Sequence, residues 1–395
     1  MAPLLQTSIA QSSNEPPPNI ILILAEDFGF GDPACYGHPY SRTPNMDRLA
    51  SEGTMFRRFY VTGMTCAPSR TGFMTGRHPA SYPNYMADFG YQGAQTVTEK
   101  LGAKNYITGH YGKWHLGPTS TSGTYGIDDV SIVGPRMGHE EGKDVNVFED
   151  AIGFIEANMN SKRPFYLNVW THIAHSPVKP DASLVARFSD IRVDRSDFGK
   201  HMQDIFDESE TRGDNDSTLD NSMQNYLAEI WSLDLQIGKL LDKLDKEGLA
   251  ENTLIVFTSD QGAVPPMGGQ GNPEFMLGYA GGLRGGKHSF YEGGVRTPFI
   301  VRWPGRVPSG KINDNSIISS LDWLPTVSAI AGASFDPMMF EGEDISDILQ
   351  GSDRSRFNPL FWKRSTTRSQ KSILYKNWKL HISQGNKGIA GELAH

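Results

Sequence analysis

Asn19-Ile-Ile-Leu-Ile-Leu-Ala25, followed at once by Glu26-Asp27, is an uncharged run that stops at two carboxylates. Two later stretches repeat the form. Pro164-Phe-Tyr-Leu-Asn-Val-Trp170 runs into Thr171-His172-Ile-Ala-His175, and Thr253-Leu-Ile-Val-Phe-Thr258 runs into Ser259-Asp260-Gln261-Gly262. Apolar runs of this length, closed by turn-forming residues, suit strands buried on both faces of a parallel sheet. Helical patterns lie between them. Thr43–Glu52 opens with Pro44 and stops at Gly53, and Asn146–Met159 is a second. Ser222–Lys246 is the clearest, with Leu227, Ile230, Leu233, Ile237, Leu241 and Leu244 at helical spacing. Strand–helix alternation predicts a doubly wound α/β fold. In such folds the site lies beyond the carboxyl ends of the strands. Asp27, His175 and Asp260 therefore fall on one rim.

Other segments have a different character. Residues 204–220 are acidic and turn-rich, which predicts a solvated loop. Residues 261–297 hold eleven glycines, as a loop passing closely over a site would. From residue 357 the pieces Pro359–Trp362, Lys371–Tyr375 and Trp378–Ile382 read as a small antiparallel sheet. The expected organisation is a flexible leader over 1–17, a catalytic domain over 18–356, and a small C-terminal subdomain over 357–395. That subdomain ends early, as a truncated piece would. No internal repeat is visible.

Composition limits the function classes. With 38% hydrophobic and 21% charged residues, the 395-residue chain reads as a soluble globular protein. A net charge of -8 argues against a nucleic-acid partner, because phosphate binding wants a basic face. An anionic substrate would instead need a local cationic pocket. No apolar stretch approaches the ~18 residues that a membrane span needs. Met1–Pro18 lacks a sustained apolar run and makes a poor signal peptide as it stands. Cys35 and Cys66 could form one disulfide, but the residues around Cys66 point to another use.

Cys66-Ala-Pro-Ser-Arg70 is followed, four residues on, by Thr75-Gly76-Arg77. This segment resembles the signature of the type I sulfatases, and further segments follow in the family's order. Ile21-Leu-Ile-Leu-Ala-Glu26-Asp27-Phe-Gly-Phe-Gly-Asp32 resembles its first metal strand, and Gly112-Lys113-Trp-His115-Leu-Gly117 matches a family segment outright. His175-Ser-Pro177, Phe257-Thr-Ser-Asp260-Gln261-Gly262 and Leu283-Arg284-Gly-Gly-Lys287 resemble three more. The resemblance covers residues 18–383, and its run of motifs looks more like the arylsulfatase A and N-acetylgalactosamine-6-sulfatase group than like choline or alkyl sulfatases. It implies an alkaline-phosphatase-like α/β sandwich: a large, mostly parallel sheet flanked by helices, with a small C-terminal antiparallel subdomain.

The resemblance also implies a chemistry. A formylglycine-generating enzyme would oxidise Cys66 to an aldehyde, whose hydrate is a geminal diol. One hydroxyl attacks sulfur, and the other expels sulfate by re-forming the aldehyde, which a plain serine could not do. Glu26, Asp27, Asp260 and Gln261, with the modified Cys66, would hold a divalent cation. An all-oxygen set suits a hard ion, and Ca²⁺ fits a loop-built site better than Mg²⁺. Glu26 and Gln261 depart from the family, which has Asp at the first position and commonly Asn or His at the second. Arg70, Lys113 and Lys287 would neutralise the sulfate. His115 would serve the diol. His175 would protonate the leaving alkoxide, with His172 as its rival.

The expected activity is hydrolysis of a sulfate monoester of a sulfated sugar or polysaccharide by an exported enzyme. Two alternatives stay open. One is a phosphonate or phosphate monoester hydrolase on the same fold. The other is a sulfated-glycan-binding protein without turnover, its metal site weakened by Glu26 and Gln261.

Overall fold

The computed structural model describes residues 16–117, 121–212, 218–265, 277–335, 340–364, 369–385 and 388–394. Its main sheet contains β1 (Asn19–Ala25), β2 (Thr54–Tyr60), β3 (Ile107–Gly112), β4 (Asp129–Ser131) and β5 (Phe165–Trp170). It is completed by β6 (Thr253–Ser259), β7 (Arg296–Arg302), β8 (Lys311–Asn313) and β9 (Ile318–Ser319). The order is β4-β3-β5-β1-β6-β7-β2-β8, with β9 also on β2. Every pairing is parallel except the two made by β7, which runs against β6 and β2. The sheet is therefore mostly parallel.

The three apolar runs form β1, β5 and β6, side by side at the centre and fully buried. Because strand side chains alternate, β1 feeds two cores. Ile21 and Ile23 meet the helices Val145–Asn158 and Leu219–Lys246 on one face. Ile20, Leu22 and Leu24 meet the helices Cys66–Thr75 and Trp323–Ile330 on the other. Each such fully buried side chain contributes about 1.5–3 kcal/mol, so this one strand anchors both layers.

Register decides where the strands end together. Leu24 lies beside Trp170 on one side and Thr258 on the other, and Gly112 pairs with Trp170. Glu26-Asp27, Thr171-His172, Asp260-Gln261 and Lys113 thus leave the sheet at one level.

The expected helices form with boundaries shifted by at most three residues: Pro44–Ser51, Val145–Asn158 and Leu219–Lys246. Thr218 caps the last by accepting from the Asn221 N–H at 3.2 Å. The expected loop over 204–220 is not observed as such. Lys200–Arg212 is a helix, and residues 213–217 lie outside the described set. Met202, Ile205, Phe206 and Ser209 are buried at helical spacing, so the acidic residues form only the outer face.

Cys35 and Cys66 are both free thiols, so the pair makes no disulfide. A second sheet, β10 (Leu360–Arg364), β11 (Gln370–Tyr375), β12 (Trp378–Gly385) and β13 (Gly388–Ala394), is antiparallel throughout. Its fourth strand was absent from the sequence expectation, because Gly388 and Gly391 dilute the apolar alternation. Of the leader, residues 1–15 lie outside the described set, and 16–18 carry no regular structure. No described helix is long and apolar enough to cross a membrane.

Candidate active site

Cys66 is the first residue of the helix Cys66–Thr75 and is only 4% exposed. Its Sγ lies 3.3 Å from Glu26 Oε1, 3.2 Å from Gln261 Nε2 and 3.6 Å from Lys113 Nζ. Burial, and then the charges of Asp260 and Asp27, push the thiol up to about 12. An unmodified Cys66 thus stays protonated near neutral pH.

Around Cys66 each carboxylate has its own cation. Lys113 pairs with Glu26, and Lys287 Nζ lies 2.7 Å from Asp27 Oδ2. Arg70 reaches Asp260 Oδ2 through Nε at 3.0 Å and Nη2 at 2.8 Å. Its Nη1 donates to the Lys113 carbonyl at 3.2 Å, and its guanidinium lies 4.9 Å from the Trp170 ring centroid. Arg70 and Asp260 are both fully buried. Burial would raise the Asp260 carboxyl, but Arg70, Lys113 and Lys287 outweigh it and the net direction is down. Burial likewise opposes the Lys287 ammonium, Asp27 overrides it, and the net shift is upward. Lys113 is pulled down to about 8 by burial.

Gln261 donates Nε2 to Asp27 Oδ1 as well as to Cys66, while its buried Oε1 has no partner among the described residues. An orphaned acceptor is costly unless something meets it. Glu26, Cys66 and Asp260 present donor atoms within 4.8 Å of one another, as do Glu26, Asp27 and His175. Three carboxylates and a free amide oxygen fit a hard divalent cation.

The two histidines of the His172–His175 turn differ sharply. His172 Nδ1 lies 2.7 Å from Asp144, which also accepts the N–H groups of His172 and Ile173. His175 Nδ1 lies 2.9 Å from the Ser176 carbonyl oxygen, an arrangement that leaves Nε2 facing Glu26 at 3.8 Å and Asp27 at 3.9 Å. Burial lowers the His175 pKa, against the opposing pull of Asp27. His115 stands exposed at the rim. Loss of water on its inner side, then the charges of Lys113 and Arg70, pull its imidazole down to about 4. Asp27 and His115 both hold left-handed backbone, with φ of 56° and 57°. Non-glycine residues rarely do so, and often at functional sites.

The structure thus gathers Glu26, Asp27, Cys66, Arg70, Lys113, His175, Asp260, Gln261 and Lys287 into one cluster, with His115 at its edge. Four supporting residues escaped the sequence. Asp144 fixes His172, and Lys143 Nζ holds the carbonyls of His175 at 2.5 Å and Pro177 at 3.1 Å. Trp170 lies beside Arg70. Asp32, fully buried, accepts from the Gly29 N–H at 2.5 Å, the Tyr279 N–H at 2.7 Å and the Tyr226 hydroxyl at 2.8 Å. Burial pushes its carboxyl up to about 7. It ties the loop after β1 to the loop leading to Lys287. Asp32 lay inside a quoted motif, but nothing in sequence marks Asp144 as a partner 28 residues distant.

Comparison with known proteins adds an independent line. A protein-family model described as Sulfatase matches residues 18–333. Human arylsulfatase A is 31% identical over 88% of this chain and 70% of its own length. Canine N-acetylgalactosamine-6-sulfatase is 28% identical over 89% of this chain and 69% of its own. The solved structure of Ps i-CgsB in complex with k-i-k-neocarrahexaose superposes with a TM-score of 0.76 at 26% identity, covering 96% of this chain and 86% of that one. BT4656, solved with its substrate D-glucosamine-2-N,6-O-disulfate, shares the fold with a TM-score of 0.76 at 20% identity, over 96% and 91% of the two chains.

Proposed function

This chain belongs to the sulfatase family of sulfuric ester hydrolases, and on that footing we propose that it removes sulfate from a sulfated carbohydrate using formylglycine made from Cys66. The observation that carries the reading is the placement of Cys66. Its Sγ lies among Glu26, Gln261 and Lys113, at a helix start and on the carboxyl rim of the sheet. A cysteine serving only as packing would sit among apolar atoms. The carbohydrate part is supported by the likeness to N-acetylgalactosamine-6-sulfatase and to the structure solved in complex with k-i-k-neocarrahexaose.

The formylglycine hydrate would supply a nucleophile that can later release its sulfate. A divalent cation held by Glu26, Asp27, Asp260 and Gln261 would lower the pKa of that hydrate and bind a sulfate oxygen. The remaining work falls to side chains. Three carboxylates and three cations cancel, so a divalent ion among them leaves the site attractive to an anion. Arg70 is locked by Asp260 and the Lys113 carbonyl, and it orients the site more than it reaches out. Lys113 and Lys287 each hold one carboxylate and face the charge that develops on the sulfate oxygens. His175, with Nδ1 on the Ser176 carbonyl, would carry its mobile proton on Nε2, the atom that faces the cluster. His115 stands at the rim to accept a proton when sulfate leaves. Maturation by a formylglycine-generating enzyme and export from the cytosol belong to the same reading.

The test is co-expression with and without the modifying enzyme. Peptide mass spectrometry should show the Cys66 thiomethyl group replaced by an aldehyde, in proportion to turnover of a sugar sulfate. Full activity in protein carrying only unmodified Cys66 would overturn the reading. Faster turnover of an aryl phosphate than of the aryl sulfate would reassign the leaving group to phosphate. Tight sulfated-glycan binding with no sulfate release from modified protein would make it a binding protein.

A further inference from the structure

Two consecutive buried residues just ahead of the helix Val145–Asn158 treat the two histidines of the His172–His175 turn in opposite ways. Asp144 takes the ring and the N–H of His172 and the N–H of Ile173. Lys143, only 3% exposed, takes neither ring. Its Nζ donates to the backbone instead, at 2.5 Å to the His175 carbonyl and at 3.1 Å to the Pro177 carbonyl. A buried lysine is ordinarily paired with a carboxylate. Lys143 has these two carbonyls and no ion pair with a described residue, so what it holds is the shape of the turn.

The far end of the turn is anchored from the same side. Glu229, buried within the helix Leu219–Lys246, accepts the Lys179 N–H at 2.9 Å. The Lys179 carbonyl in turn accepts the Gly138 N–H at 3.0 Å. Burial pushes the Glu229 carboxyl up, against the opposing pull of the Lys143 charge. The segment that carries Lys143 is itself seated on that helix. Gly142 has a φ of 100°, and a Cβ there would come within 2.3 Å of Ser232 Cβ, so only glycine lets the chain pass this close. Gln236 Nε2 holds the Glu141 carbonyl at 2.6 Å. Lys143 thus reaches up from a fixed floor.

Ser176 lies between the two residues whose carbonyls Lys143 holds, and its own carbonyl oxygen is 2.9 Å from His175 Nδ1. Peptide groups are planar, so fixing one on either side leaves the Ser176 carbonyl little freedom to turn. A carbonyl oxygen only accepts. Nδ1 therefore keeps its hydrogen, and Nε2 is the atom left to carry a transferable proton toward the cluster. We propose that Lys143 is a positioning residue for proton transfer to the leaving alkoxide: it aims the Ser176 carbonyl at His175 and so fixes which ring nitrogen faces the substrate. Asp144 occupies one histidine ring and Lys143 aims the other, which assigns the acid between them. The catalytic consequence rests on the proposed role of His175, whereas the hold on its ring does not.

The experiment joins ¹⁵N-histidine NMR to steady-state kinetics on the full, formylglycine-bearing chain, using Lys143→Met and Lys143→Arg. The His175 resonances are identified by their loss in His175→Ala. In the parent protein, neutral His175 should carry its hydrogen on Nδ1. Lys143→Met should shift it toward Nε2, and Lys143→Arg, which keeps the charge and the donors, should largely restore Nδ1. Lys143→Met should slow a sugar sulfate by roughly 10 to 10², the scale of a misplaced catalytic group, and an activated aryl sulfate much less. In a His175→Ala background the same change should add less than about twofold, because residues that act through one another are not additive. A thermal melt of each variant checks its fold. If Lys143→Met fails to fold, Lys143→Gln, which is uncharged and shorter, stands in for it. An unchanged tautomer in a folded variant would overturn the proposal. So would equal losses on both substrates, or the full loss repeated in the His175→Ala background. The tautomer is read without turnover. Absence of sulfate release in the parent protein therefore refutes the proposed function, and the spectrum alone then decides whether Lys143 holds His175.

Discussion

Replacing His175 and His172 separately distinguishes an acid aimed at the substrate from a histidine that braces the turn. His175 has Nε2 3.8 Å from Glu26 and 3.9 Å from Asp27, and its side chain is 39% exposed. His172 has Nδ1 bound to Asp144 at 2.7 Å and a side chain only 15% exposed. A positioned general acid contributes about 10²–10⁴ in rate, and most where the leaving alkoxide is poor. His175→Ala should therefore slow a sugar sulfate by about 10² or more, or at least ~2.7 kcal/mol. An activated aryl sulfate departs nearly unaided and should lose far less. His172→Ala instead removes one charge-assisted contact from buried Asp144, whose other acceptances from the His172 and Ile173 N–H groups remain. That should cost about 1.5–3 kcal/mol of stability and slow both substrates by the same factor. Steady-state kinetics on the two substrates gives the four rate losses, and a urea melt of each variant gives the two stabilities. Equal losses on both substrates in His175→Ala would show that it shapes the pocket. Leaving-group dependence in His172→Ala would reverse the assignment.

Other outcomes follow from the same cluster. Titration of chelated, formylglycine-bearing protein with Ca²⁺ by calorimetry should show one site, lost in Asp260→Ala and weakened less in Gln261→Ala, which removes no charge; unchanged binding in Asp260→Ala would refute the ligand set. Arg70→Met keeps the volume but leaves Asp260 without its two-point partner, and should destabilise by about 3–5 kcal/mol in denaturant unfolding; a loss below ~1 kcal/mol would mean that Asp260 is already compensated by Lys113 and Lys287. Asp32 has its carboxyl raised to about 7 by burial, so the folded protein binds a proton that the unfolded chain releases near pH 4. Stability should then fall as pH rises from about 4 to about 7, by at most ~1.4 kcal/mol per pH unit, and this component should vanish in Asp32→Asn. Parallel stability–pH profiles for the two proteins would show that Asp32 does not titrate there.

The sequence determined the central layer. Uncharged runs at 19–25, 165–170 and 253–258 can be stable only when buried on both faces, which makes them neighbours in a parallel sheet and brings their polar ends to one rim. Cys66, Arg70, Lys113 and Lys287 were legible because their motifs fix local spacing. What local spacing does not fix is partnership across the chain. The acidic stretch from residue 204 looked like a loop, since a window of charges hides Met202, Ile205 and Phe206 on its inner face until there is a core to receive them. The His175-Ser-Pro177 spacing favours His175 over His172 as the acid, but nothing local says which partner each histidine takes. The turn after β5 must lie over the helix beginning at Val145 before Asp144 can take one of them and leave the other facing the cluster. The pairing of Glu26 with Lys113, Asp27 with Lys287 and Asp260 with Arg70 came only from the tertiary structure, because hydrogen bonds and charges act through space over a few ångströms while the sequence separates these partners by 87 to 260 residues.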